Sequence, residues 1–152
     1  MLGTIIRETI GAIGTSRKLG YNPIFLGSSA SYTDLIHKLG GPAMNGLYAT
    51  MTVQNPYLDA ASQPVRFWAT KYKTKFNEDP AVFSVYGYSI IDAFAKIAGK
   101  AGANLNTNSF IKVMDTMVIE PDMFGGAKQT FSPTKRLGSD ASRLSQIADG
   151  KW

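Results

Sequence analysis

The chain has 152 residues, 44% hydrophobic and 18% charged, with a net charge of +5 and a pI near 9.5. That length and apolar share imply a packed body of ordinary domain size and exclude a disordered chain. The lack of cysteine excludes disulfides, thiolate zinc sites and cysteine nucleophiles, and basic residues that are scattered, with local density only at Lys71, Lys73 and Lys75 and at Lys135-Arg136, argue against nucleic-acid binding.

Taken in order, Thr4 to Leu19 reads as a helix, with Ile6, Ile10 and Ile13 on one face and Arg7, Glu8, Arg17 and Lys18 polar. Gly20 is its stop. Pro23 to Gly27 is a short apolar run of the kind that forms a buried parallel strand. Ser31 with Asp34 offers the N-terminus of a helix over Thr33 to Leu39, closed by Gly40-Gly41-Pro42. Leu47 to Val53 is a second strand. Helix, strand, helix, strand predicts an α/β layer with a parallel sheet.

Three consecutive helices follow: Ser62 to Phe76, Val82 to Ala98 and Asn108 to Met117. Pro64 falls in a first turn, where its missing N–H does no harm. The apolar stripes are Val65, Trp68, Tyr72 and Phe76, then Ile90, Ile91, Phe94, Ile97 and Ala98, then Ile111, Val113, Met114 and Met117. The tail holds two short strand-like pieces, Gly125 to Ser132 and Ser145 to Trp152.

Active-site chemistry is hard to find. His37 is the one histidine, set mid-helix without a metal-spaced partner. Serines lack the glycines of a nucleophile elbow. Gly11 and Gly14 sit inside a helix pattern and do not follow a strand, as a phosphate loop would. A non-enzymatic role without metal or cofactor is expected.

The segment Trp68–Tyr72–Phe76–Pro80, followed by Tyr88-Ser-Ile-Ile-Asp-Ala-Phe-Ala-Lys-Ile-Ala-Gly-Lys-Ala-Gly102, resembles the late part of the type I periplasmic solute-binding proteins, the branched-chain amino-acid binding family of ABC importers. Gly20-Tyr-Asn-Pro-Ile-Phe-Leu-Gly27, Gly46 to Thr50, the Gly126 to Phe131 turn, Gln146-Ile147 and Gly150-Lys151 follow in family order. The resemblance implies a periplasmic-binding-protein-like type I fold. Its Rossmann-like three-layer lobes would be incomplete in one chain, with only the C-terminal portion present. Residues 1–54 would belong to the second lobe, 55–139 to the first, and 140–152 would return to the second.

By that resemblance the ligand sits at loops on the carboxyl ends of strands. The matching residues are Ser28, Ser29, Ala30, Ser31 and Tyr32 after the first strand, and Gln54, Asn55, Pro56 and Tyr57 after the second. Tyr86 and Tyr88 open the following helix. Amino-acid binders of the family place an acidic residue just after the strand, but Gly27-Ser-Ser-Ala30 has none, and Asp34 suits a helix start. The implied ligand is a small aromatic or aliphatic carboxylate delivered to an ABC permease. Location is periplasmic by resemblance, although Met1 to Arg7 does not read as a secretory signal and no apolar run reaches the roughly 20 residues of a membrane span. The three helical stripes lack the strands that cover them in the family. Each buried apolar side chain is worth about 1.5–3 kcal/mol, so a homo-oligomer covering these faces is expected. The rival expectation is a structural or regulatory assembly module that has lost transport.

Overall fold

The computed structural model describes residues 1–152, which fall into two compact units: Met1–Asn55 with Ser142–Trp152, and Pro56–Ala141.

In the first unit the helix α1 spans Ile6–Lys18, two residues shorter at its start than the apolar pattern suggests. Ile5 at the N-cap supplies no side-chain acceptor, so nothing holds an earlier turn. Arg17 and Lys18 in the last turn suit the negative end of the helix dipole. Gly20 then turns the chain at φ 77°, where a Cβ would be strained. The strand β1 is only Leu26–Gly27. Ile24 is exposed while Phe25 is buried, so the run Pro23 to Gly27 is buried on one face and not throughout, as its apolar sequence had suggested.

The helix α2, Asp34–Gly40, is capped by Thr33, whose hydroxyl accepts the Leu35 N–H. Ser31, expected to start this helix, is occupied elsewhere. A 3-10 turn, Gly41–Met44, leads into β2, Tyr48–Met51. There a Cβ on Gly40 would lie 2.5 Å from the Met44 side chain, so only glycine lets the turn close that tightly. β1 pairs with β2 in parallel, Leu26 opposite Tyr48. Leu2 adds a single parallel bridge on the far side of β1.

The tail strand β5, Arg143–Gln146, pairs antiparallel with β2. It starts two residues before the expected Ser145 and ends before Ile147. The remaining tail folds back as a turn bridging Ala148 and Lys151. The sheet is therefore mixed, with an antiparallel edge. Ile13, Phe25, Ile36, Met44, Leu47 and Ile147 form the core between sheet and helices, flanked by Leu2, Ile6, Ile10, Ala43 and Trp152.

In the second unit, α3 spans Gln63–Phe76 and stops where Asn77 adopts φ 55°, a left-handed conformation that asparagine tolerates. The helix α4, Val82–Ala101, runs past the expected Ala98 and through Gly99 to Gly102, which turns at φ 77°. The helix α5, Thr107–Met114, is held by a reciprocal cap. Asn106 Oδ1 accepts the N–H groups of Asn108 and Ser109, and Ser109 Oγ accepts the Asn106 N–H.

Residues expected to continue α5 instead leave it. Val118–Ile119 forms β3, antiparallel to β4 at Gln129–Thr130. Val65, Ala69, Val82, Val85, Ile97, Ile119 and Phe124 are among the buried apolar residues of this unit. Phe124 is fully buried, and Trp68 and Tyr88 meet its ring edge-on with centroids 5.0 and 5.8 Å away.

Candidate ligand site and family

β1 and β2 run parallel, so their carboxyl ends lie at the same edge of the sheet. The chain leaving β1 makes a 3-10 turn over Ser29–Ser31. Ser29 and Ala30 are exposed and Ser28 is half-buried. Gly27 admits this turn: a Cβ there would meet Ser31 Cβ at 2.9 Å.

Ser31 is fully buried. Its hydroxyl lies 3.1 Å from Thr9 Oγ1 and donates to the Thr4 carbonyl at 3.0 Å. Thr9 Oγ1 is in turn 2.7 Å from Thr4 Oγ1. This hydroxyl chain ties the loop to α1. The sequence reading missed it, yet it left a signal. Thr9 interrupts the apolar face of Ile6, Ile10 and Ile13, and a buried hydroxyl needs a partner.

Tyr32 is 3% exposed, and its hydroxyl accepts the main-chain N–H of Asn55 at 2.9 Å. Its ring packs tilted on Trp152, centroids 5.1 Å apart, and Trp152 Nε1–H donates to the Thr33 carbonyl at 2.8 Å. Tyr32 thus faces protein on all but a sliver of its surface, unlike Ser29 and Ala30 beside it. After β2, Gln54 is exposed while Asn55 and Pro56 are buried. Of the first unit's candidates, Ser28, Ser29 and Ala30 thus follow β1, Gln54 follows β2, and the Tyr32 hydroxyl links the two segments through the Asn55 N–H.

Tyr57, Tyr86 and Tyr88 belong to the second unit. Tyr57 is half-buried. Tyr86 and Tyr88 are two positions apart on α4 and so point to opposite sides of it. Tyr86 pairs with Phe83 at 5.7 Å, and Tyr88 packs edge-on against Trp68. Tyr88 lines a groove of about 900 Å³ with Trp68, Tyr72, Phe76, Ser84 and Met123, among which Lys71 and Lys75 supply positive charge.

The acidic and histidine residues near the loop are engaged. Asp34 is 6% exposed, takes an ion pair from Lys38 Nζ and accepts the Thr33 hydroxyl. Burial lowers the pKa of His37; Asp34 opposes that, and Lys38 and Lys151 add to it. No group of three or more His, Cys, Asp or Glu residues is placed to hold a metal ion. No helix is long and apolar enough to cross a membrane.

The sequence model of the periplasmic binding protein family matches residues 1–151. This chain belongs to the periplasmic binding protein family. Solved structures show the same type I fold. A putative branched-chain amino acid ABC transporter protein from Rhodospirillum rubrum aligns at 22% identity and TM-score 0.71, over 97% of this chain and 41% of that one. A fatty acid ABC transporter substrate-binding protein from Thermomonospora curvata aligns at 18% identity and TM-score 0.78, over 99% and 39%. A branched-chain amino acid ABC transporter protein from Thermus thermophilus with bound valine aligns at 11% identity and TM-score 0.75, over 97% and 42%. This periplasmic binding protein chain therefore spans about two fifths of the length of the structures it matches. No match was found among curated protein sequences.

Proposed function

We propose that the chain acts in solute capture for an ABC importer, in the periplasm or outside the cell, with a small aromatic or aliphatic carboxylate as ligand. The observation that carries this reading is the shared sheet edge at the ends of β1 and β2. It bears exposed Ser29, Ala30 and Gln54 and half-buried Ser28, with no uncommitted carboxylate beside them. Hydroxyls and main-chain N–H groups orient a carboxylate, and a free acid would repel it. An α-ammonium would need such an acid, and Asp34 is already paired. The likeness to a fatty-acid-binding protein as well as to amino-acid-binding ones is compatible with that choice. In this reading the first unit belongs to the family's second lobe and the second unit to its first lobe. Tyr57, Tyr86 and Tyr88 are the second unit's candidate contacts.

Calorimetric titration with octanoate, phenylacetate and valine tests the ligand class. Binding of either simple acid with no valine heat is expected. Valine binding alone overturns the carboxylate reading, and silence from all three overturns capture by this chain.

A second reading draws on α4, where Phe83, Ile90, Ile91 and Phe94 are between 52% and 67% exposed. Such a stripe is unusual on a soluble monomer. We propose that copies of the chain cover it by self-association, either rebuilding a binding site or serving as a structural or regulatory assembly module. Native mass spectrometry separates these cases: an oligomer retaining a small molecule supports the first, an empty oligomer the second, and a folded monomer neither.

A further inference from the structure

We propose that the Tyr32 hydroxyl is a pin that holds the loop after β1 in register with the segment leaving β2, making Tyr32 a positioning residue and not a ligand contact. The proposal rests on the reading that these two segments carry the ligand. Tyr32 and Asn55 are 23 positions apart in sequence, and both are buried, at 3% and 7% exposure. The Asn55 N–H donates to the Tyr32 hydroxyl at 2.9 Å. Asn55 Oδ1 is buried without a hydrogen-bond partner, so the main chain carries a tie that this oxygen does not.

Tyr32 is itself fixed from both flanks. Ser31 before it is bound into the Thr4 and Thr9 hydroxyl chain on α1, and Thr33 after it accepts the Trp152 indole N–H. The Trp152 ring rests on the Tyr32 ring. A group so held can define where the Asn55 amide sits, and Asn55 is the last residue of the first unit before Pro56. Phenylalanine at position 32 would keep the ring packing and leave the Asn55 N–H buried and unpaired.

Amide hydrogen exchange on the full chain tests this. In the wild type the Asn55 amide is expected to exchange slowly, in the class of the paired Leu47 and Ile147 region; free exchange there overturns the pin without any variant. In Tyr32→Phe the Asn55 amide is expected to exchange at least about tenfold faster, while the core amides of β2 do not change. Acceleration of all of them together would mean general destabilisation and overturns the positioning role. Trp152→Phe removes the bond to Thr33 but keeps a ring on Tyr32, and it is expected to leave Asn55 slow. Octanoate titration of the same proteins adds the functional arm, with about tenfold weaker binding expected for Tyr32→Phe. Unchanged affinity beside faster exchange overturns the link to the ligand. If wild type binds no carboxylate, the solute reading fails while the exchange data still decide the pin.

Discussion

The two units solve the same burial problem with different success. In the first, helices α1 and α2 lie against a sheet that β5 completes, and Ile13, Ile36, Met44 and Leu47 reach zero exposure. In the second, three helices have only the two-residue ladder of β3 and β4 as sheet, and large apolar side chains of α3 and α4 remain in water. The contrast teaches that amphipathic helices are not by themselves a core. A helix buries its stripe only where another element presents a matching face.

Removing the centre of the second unit is the strongest way to test this. Phe124→Ala deletes the ring on which Trp68 and Tyr88 converge, and should cost about 3–5 kcal/mol. Chemical unfolding followed by Trp68 fluorescence in a Trp152→Phe background checks it. If the units are energetically separate, exchange protection in β2 survives the change. A cost below about 1 kcal/mol would mean the second unit has no well-packed centre.

A smaller effect is expected at the start of α5. Asn106→Ala removes an acceptor for two helix N–H groups and should destabilise by about 1 kcal/mol, read as faster exchange confined to the first turn of that helix.

The first unit offers a pH test. Burial holds the His37 pKa below its ordinary value of about 6.5, so the folded state favours the neutral ring. The resulting stability is fully present above about pH 6.5 and is lost as pH falls from there toward the lowered folded value. Unfolding midpoints for wild type should fall with acidification over that interval, and His37→Gln should flatten the part of the slope that His37 causes. An unaltered slope would mean His37 charges as readily in the folded chain as in the unfolded one.

The smallest expected effect lies on the open face of α4. Ile90 is 66% exposed, and Ile90→Ser should change the stability of the isolated chain by no more than about 0.5 kcal/mol. A large loss, dependent on protein concentration, would show that the face is covered in solution and would erase the contrast between the units.

Much of the fold was legible in local pattern. The isoleucines of α1, the helix expected over Thr33 to Leu39 and its glycine stop, Pro64 in the first turn of α3 and the glycine at 102 each act within a few residues. Their effects can therefore be read without knowing the rest of the chain. The misread boundaries share a cause. The helix expected to run to Met117 ends at Met114, and Val118 and Ile119 just beyond it pair with Gln129 and Thr130 as a strand. Arg143 and Leu144 are exposed and carry little strand pattern, yet β2 recruits them as an edge.

The candidate site divides the same way. The loop after β1 was proposed from the family resemblance and its place behind an apolar run, but the different uses of its residues were not foreseen. Ser29 faces water, Ser31 is bound to Thr9 and Thr4, and Tyr32 closes over Asn55. Sequence periodicity decides which side of an element a residue lies on, because that depends on a few bonds of backbone geometry. Whether a hydroxyl meets a ligand or a distant N–H depends on segments 22 or more positions away in the chain. Only the folded arrangement brings those segments within hydrogen-bonding distance.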